Sequence, residues 1–359
     1  MKYTGNAGFS HKQADKIGVV ITNLGTPQAP TKGALKTYLK EFLSDPRVVE
    51  VPRLIWWFIL NGIILNFRPK RSAEAYASVW SEQGSPLMVH TKAQAEALAK
   101  RCEQEFGDDV IVDFAMRYGE PAVNKVIERM LSNGVRKLLV VPLYPQYSAS
   151  TVGSTFDAIA ADFQQRRWLP DLRFVSHYHD RPGYIKAVAE TIRQHWEING
   201  QAEKLILSYH GVPRRYLDNG DPYHCECLKT SRLIAEELGL ENSQYMTTFQ
   251  SRFGREEWLK PYTDETLKAL PAEGVKSVQV VCPGFSADCL ETIEEIGEEN
   301  REYFMHAGGE RYEYIPALNS EPAHILMLFD LVKENLHGWQ VNSDVELRAQ
   351  LANKHGCPR

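Results

Sequence analysis

Short apolar runs rich in β-branched residues recur along the chain, and most of them stop at glycine or proline. Residues 17–24 (IGVVITNL) read as a strand that ends at Gly25-Thr26-Pro27, and residues 29–42 then read as a helix. Helical material occupies 74–106, and a second strand at 110–117 (VIVDFAMR) stops at Tyr118-Gly119-Glu120-Pro121. A helix at 123–131 closes at Asn133-Gly134, and strands follow at 137–145 and 173–179. The second half repeats the theme with strands at 204–209, 244–250, 277–281 and 312–316. Strands alternating with helices predict an α/β fold built on parallel sheets.

The two halves also share short motifs in the same order. Asn23-Leu24-Gly25-Thr26-Pro27 parallels Tyr209-His210-Gly211-Val212-Pro213, Arg117-Tyr118-Gly119 parallels Arg252-Phe253-Gly254, and Val140-Val141-Pro142 parallels Val280-Val281-Cys282-Pro283. Three weak matches in register predict a duplicated domain with about four strands per copy. A chain of 359 residues exceeds what one core usually supports. The division expected is 1–178 and 179–336, with the ligand site between the copies and a polar tail at 337–359.

Chemistry concentrates where strands end. An open α/β sheet binds ligands at the carboxyl ends of its strands. The run 205–209 drives into His210 and is broken by Gly211 and Pro213, which would present an imidazole to a cleft. A histidine alone at a strand end is commonly just buried; its partners mark this one. A strand ending at Pro283-Gly284 gives way to an acidic helix with Asp288 near its cap. Glu291, Glu295 and Glu299 follow four apart along one face, where like charges repel. A solvated acidic face accounts for Glu295 and Glu299 as well as a functional row does, but Glu291 sits on the first turn beside the cleft. Such a row is suited to conducting a divalent metal or relaying protons, and lacks the second His or Cys of a closed structural metal site. After the strand at 137–145, Tyr147, Ser148, Ser150, Thr151, Ser154 and Thr155 crowd hydroxyls ahead of a helix start, donors suited to a carboxylate or phosphate. Neither GxxxxGK[ST] nor GxGxxG spacing occurs, which disfavours nucleotide and dinucleotide ligands.

One segment, 54–65 (LIWWFILNGIIL), is too short to cross a bilayer, which takes roughly 20 residues. It is interrupted by Asn61-Gly62 and flanked by Arg53, Arg68, Lys70 and Arg71. It reads as an apolar lip for a greasy pocket or a membrane interface rather than a buried helix, because two adjacent Trp would waste partly polar rings in a core. A net charge of −5 argues against nucleic acid as a partner. The polar stretch 1–16 has no apolar signal core, so the expected location is cytoplasmic. Six scattered cysteines without a CxxC pair read as reduced thiols. A histidine, a glutamate row, Arg117, the aromatics Tyr147, Trp258 and Phe285 and an apolar lip together suit a large, flat, hydrophobic ligand with peripheral carboxylates that meets a metal ion.

These residues resemble the ferrochelatase family. The matching stretches are NLGTP (23–27), RYGEP (117–121), PLYPQYSASTVGS (142–154), LSYHGVPRRY followed by GDPY (207–223), QSRFGREEWLKPYT (250–263) and PGFSADCLETIEEI (283–296). The resemblance implies a chelatase-like α/β fold of two similar Rossmann-like domains, each a roughly four-stranded parallel sheet flanked by helices, with a porphyrin cleft between them. It implies a lyase of haem synthesis that inserts Fe2+ into protoporphyrin IX, giving protohaem and two protons. By position, His210 and Glu291 match the catalytic pair, and His210, Glu291, Glu295 and Glu299 the metal path. Leu24, Arg117, Tyr118, Tyr147, Ser148, Trp258, Phe285 and Asp288 match residues lining the porphyrin. It also implies a distorted π-type helix along the acidic row.

Two departures qualify the match. Cys289 stands where some members carry a histidine, which puts a two-histidine arrangement in doubt. Members with an iron–sulfur cluster bring clustered cysteines near the C-terminus, whereas this chain has Cys357 alone there, so no resident cofactor is expected and iron is a substrate. The partners expected are a porphyrin and ferrous iron, in a monomer or homodimer, docked peripherally on the inner face of the membrane through 54–65. His210 as an iron ligand, insertion of cobalt, coproporphyrin as the macrocycle, and a haem- or porphyrin-binding carrier without turnover remain as alternatives.

Overall fold

The computed structural model describes residues 3–6, 8–341 and 344–357. Eight strands form at the apolar runs: β1 (Lys16–Gly25), β2 (Val110–Tyr118), β3 (Val135–Pro142), β4 (Asp171–Phe174), β5 (Lys204–His210), β6 (Tyr245–Gln250), β7 (Ser277–Val281) and β8 (Arg311–Ile315). They pair in parallel as two sheets of identical order, β2-β1-β3-β4 and β6-β5-β7-β8. In each sheet the first strand of the half lies at the centre and is covered on both faces, which is why β1 and β5 are nearly continuous apolar runs. The α/β fold of two similar parallel four-stranded sheets is therefore present.

The strands expected at 137–145 and 173–179 are shorter than the apolar pattern suggested. β3 stops at Pro142 and Pro145 follows, and neither has an N–H to extend the ladder. Val175 N still donates to Val140 O at 3.0 Å, but by Tyr178 the chain has left the sheet, its N–H donating to Pro145 O at 2.9 Å.

The halves are not independent globules. One apolar cluster runs from Ile21 and Leu139 of the first sheet through Tyr184 and Val188 to Leu207 and Ile315 of the second. The helix Pro182–Asn199 begins just after the division between 178 and 179 read from sequence. The helix Pro322–Leu336, last in the second half by sequence, packs against the helix Pro86–Phe106 and against β3 of the first half as well as against Pro182–Asn199. The expected tail holds a further helix, Val345–Lys354, and Arg348 ties it to the start of the chain by donating to His11 O at 2.9 Å and pairing with Asp15 at 3.0 Å. Residues 342, 343, 358 and 359 of that tail lie outside the described residues.

The lip differs from its sequence reading in one respect. Asn61-Gly62 does not interrupt it: the helix Arg53–Ile59 widens into a π-turn at Leu60–Ile64 and continues as Leu65–Val79. Asn61 Nδ2 donates to Trp57 O at 2.8 Å, and Asn66 Nδ2 to Gly62 O at 2.9 Å, so side-chain amides satisfy carbonyls that the widened turn leaves loose. The adjacent tryptophans part company. Trp56 is buried, its Nε1 donating to Leu43 O at 2.6 Å, whereas Trp57 lies outward with Leu54, Ile55, Phe58, Ile63 and Phe67, all at least half exposed.

Gly25 closes β1 at the cleft. Its φ is +109°, and a Cβ there would lie 1.8 Å from Tyr118 O on the neighbouring strand. Gly25→Ala is expected to cost about 3 kcal/mol or more, because both the dihedral and the backbone approach exclude a side chain. Gly33→Ala, on a helix with nothing within 4 Å, serves as the neutral control. Urea midpoints of the two variants measure the difference, and equal midpoints would show that the strand ends can part without cost.

Candidate active site

The second sheet supplies a base and an acid. His210 ends β5, held by the parallel partner Gln250 and by Tyr223, whose hydroxyl donates to His210 O at 3.0 Å. The ring is half-buried, and its Nδ1 lies 2.6 Å from Gly211 O. A carbonyl only accepts, so Nδ1 carries the proton of the neutral ring and Nε2 keeps a lone pair, with no hydrogen-bond partner for it among the described residues. Gly211 follows because space demands it: a Cβ there would stand 2.9 Å from Gln250 O and 3.2 Å from Trp258 Cε3. Trp258 is buried against this strand end, its ring 6.4 Å from that of His210 and 5.0 Å from that of Phe253.

Opposite, Glu291–Glu299 forms a nine-residue π-helix. Its widened turns are sustained by side-chain donors, Asn300 Nδ2 to Glu295 O at 2.7 Å and Tyr312 OH to Ile296 O at 2.6 Å. Gln250 joins the two sides. Its main-chain O accepts from Gly211 N at 2.8 Å, and its side-chain Nε2 donates to Glu291 O at 3.2 Å. Its Oε1 accepts from Ser208 Oγ at 2.8 Å. The next residue, Ser251, sits at φ +64° and gives Glu295 two hydrogen bonds, from its N at 2.8 Å and its Oγ at 2.5 Å.

The acidic row is graded. Burial pushes the Glu295 carboxyl up to about 7, against the Ser251 donors and with repulsion from Glu291 and Glu299. Burial likewise raises Glu294, reinforced by Glu299 and Glu298. Glu299 accepts from Tyr303 OH at 2.5 Å, further from the cleft. Glu291 faces phenols of the first half: its charge acts on Tyr38, Tyr76 and Tyr144, all driven by burial well above the ordinary tyrosine range. Those hydroxyls stay protonated and can donate. The buried Tyr144 hydroxyl has no hydrogen-bond partner among the described residues. The lip reaches the same place, since Arg68 lies 5.9 Å over the Phe253 ring and within electrostatic range of Glu291.

The other residues read from sequence divide into those at the junction of the sheets and those engaged in the fold. Leu24 and Phe285 pack together with Leu87, Ala287 and Cys289. The Arg117 guanidinium is locked to Asp45 at 2.5 Å and to Ser154 Oγ at 2.7 Å, and stacks 4.4 Å over the Tyr118 ring. Tyr118 OH donates to Asp45 at 2.8 Å. Despite its burial, hydrogen bonds from Ser154 Oγ at 2.6 Å and Arg47 N at 2.8 Å, aided by Tyr118 and the Arg117 charge, hold the Asp45 carboxyl below its usual range. Ser148 is buried and donates to Asp221 at 3.1 Å, and Tyr147 N donates to Glu226 at 2.7 Å. Asp288 accepts from Tyr314 OH at 2.5 Å, Thr292 Oγ1 at 3.1 Å, Asn319 Nδ2 at 2.7 Å and Ala317 N at 3.2 Å, so its carboxylate ties the π-helix to β8 and the segment after it. Gln250, Ser251, Tyr38, Tyr76 and Tyr144 are not singled out by the sequence, and Arg68 reads there only as a basic flank of the lip; QSRFG carried Gln250 and Ser251, but their task appears only once β5 and β6 are in register.

Two parallel sheets meeting at a histidine and a carboxylate row define the class of metal chelatases. SirB from Bacillus subtilis, solved with Fe3+, shares this fold at a TM-score of 0.52 and 13% identity, over 90% of this chain and 96% of that one. The family profile "Ferrochelatase" matches residues 16–336. The ferrochelatase of Idiomarina loihiensis is 68% identical over 354 residues, 99% of this chain and 97% of that protein. That of Pseudoalteromonas atlantica is 65% identical over 360 residues, covering 100% of both. The chain belongs to the ferrochelatase family, and is thereby a metal-chelating lyase of haem biosynthesis.

Glu295 binds its proton more tightly folded than unfolded, where 4.5 is ordinary. The stability it contributes is therefore full below pH 4.5 and is lost as the pH rises through about 7. Glu295→Gln is expected to gain on the native chain between about pH 5 and about pH 8 by on the order of 1–3 kcal/mol, read from urea unfolding at both values. The same difference at both would mean that the carboxyl titrates normally.

Proposed function

We propose that the chain inserts Fe2+ into protoporphyrin IX held between the two sheets, with His210 taking protons from the pyrrole nitrogens. The carrying observation is the tautomer of His210: Nδ1 is committed to Gly211 O, so Nε2 is an acceptor aimed away from its own strand. Two N–H bonds break as metal–nitrogen bonds form, and the two protons leave the macrocycle. His210 accepts at Nε2. Glu291, fixed to the same strand end through Gln250, leads to Glu295, which exchanges protons near neutrality, and on to Glu299. The row either passes protons out or admits hydrated Fe2+. Trp258 and Phe253 on one side and Leu24 with Phe285 on the other supply flat apolar contact, and binding along the lip offsets the strain of bending the ring towards the ion. The dispersion of the six cysteines, four buried and Cys225 and Cys357 exposed, supports a reaction without an iron–sulfur cluster.

We further propose that the outer lip face rests on a membrane surface. Among the described residues no helix is long and apolar enough to cross a membrane. Contact through Trp57, Phe58 and their neighbours, with Arg68, Lys70 and Arg71 behind them, supports a peripheral attachment.

His210→Ala is expected to lower turnover at least about 100-fold while porphyrin still binds. Anaerobic mixing with protoporphyrin and Fe2+, followed by absorption, reads both quantities. Normal turnover in the variant would remove His210 from the reaction, and a stoichiometric shift in the native chain without turnover would make it a carrier. For the lip, Trp57→Ser/Phe58→Ser is the suitable variant, since Trp56 is part of the core. Sedimentation with anionic vesicles is expected to fall several-fold; undiminished sedimentation would remove the membrane contact.

A further inference from the structure

We infer that His177, His179 and Glu226 form a second metal site, taking one divalent transition ion of the Zn2+ or Fe2+ class, separate from the His210–Glu295 set. The residues come from both sides of the sequence boundary. His177 lies on the link that follows β4 and His179 in the turn that leads into the helix Pro182–Asn199, while Glu226 lies on the first turn of the helix Tyr223–Leu238. Both imidazoles approach the Glu226 carboxylate. Tyr178 between them points into the core, edge-on to Tyr184 with ring centres 5.7 Å apart.

The three side chains stand close enough to enclose one ion. His177 Nδ1 lies 2.8 Å from Glu226 Oε1, a hydrogen bond that an ion would replace by spreading the pair slightly, and His179 Nδ1 lies 3.3 Å from Oε2. The three ligand atoms all fall within 4.8 Å of one another. A tetrahedral ion with bonds of about 2.0–2.1 Å to nitrogen and oxygen holds its donors roughly 3.3 Å apart. His179 supplies the second observation. It is 6% exposed, and although its Nδ1 stands near the carboxylate, the contact lacks hydrogen-bond geometry and leaves that nitrogen buried without a partner. A cation between this nitrogen and the carboxylate would give the buried nitrogen a partner and make both into ligands. Asp180 Oδ2 lies 4.0 Å from His179 Nε2, the side on which a coordinating imidazole commonly directs its other nitrogen to a carboxylate. His177 is half exposed, so remaining positions open to water.

Two imidazoles and one carboxylate select transition ions over Mg2+ or Ca2+. Occupancy would clamp the link between the halves and, through the Tyr147 N–H that Glu226 accepts, the loop carrying Tyr147 and Ser148.

Titration of the full-length protein with Zn2+ alone, without porphyrin, tests this by calorimetry, with Co2+ absorption in the visible reporting nitrogen ligation. The native chain and His210→Ala are expected to retain one equivalent at this site with equal affinity. The exposed position makes His177→Ala the variant least harmful to folding, and it is expected to weaken that equivalent at least about 100-fold. His179→Asn, matched to the native chain in thermal midpoint without metal, is expected to lose the midpoint rise that Zn2+ gives. Zn2+ binding unchanged in His177→Ala, or binding in the native chain that His210→Ala removes entirely, would overturn the site and leave a hydrogen-bonded hinge.

Discussion

The bonds of Gln250 tie the strand end at His210 to the first turn of the π-helix at Glu291. Its main chain holds the end of β5 where His210 emerges, and its amide holds the first turn of the π-helix where Glu291 emerges. The residue is buried, with Ser208 Oγ satisfying its carbonyl oxygen, so it cannot turn away without stranding a polar group at a cost of about 1–3 kcal/mol. The relative placement of His210 and Glu291 therefore rests on a sheet edge rather than on a flexible loop, the rigid placement that a reactive pair requires.

Duplication explains the plan of the cleft, and divergence explains its chemistry. Corresponding strands end at different residues: β1 closes with Leu24-Gly25, whereas β5 ends at His210 with Gly211 next. The first half carries the lip and the phenols of Tyr38, Tyr76 and Tyr144, and the second carries His210 and the acidic row. With the Pro322–Leu336 helix laid back over the first half and a common core beneath both sheets, the walls behave as one body at their base.

Much of this was legible in the sequence, for identifiable reasons. Runs such as IGVVITNL and SVQVV announce buried parallel strands, and Gly25 and Gly211 mark close backbone approaches. The histidine was found by its place after such a run. What stayed hidden depends on distances in space. The amide of Gln250 acquires its task from the His210–Gln250 register, and the phenols around Glu291 come from three separate segments. The Asn61-Gly62 pair looked like a break because composition does not reveal that asparagine amides rescue a widened turn. Asp288 looked like a ligand-facing acid, yet four donors from the π-helix, β8 and the segment after it surround the carboxylate. His177 and His179 showed no metal spacing with any sequence neighbour, because Glu226 joins them only through the fold.

The left-handed backbone of Ser251 has a consequence for the acid beside it. One residue gives Glu295 both a peptide N–H and a hydroxyl, and only the second depends on the side chain. The proton affinity of this carboxyl is thus set in part by a main-chain torsion, a rheostat written into the path of the chain. Exchange of the hydroxyl alone leaves the peptide N–H in place, so evolution can retune this acid in small steps without dismantling it.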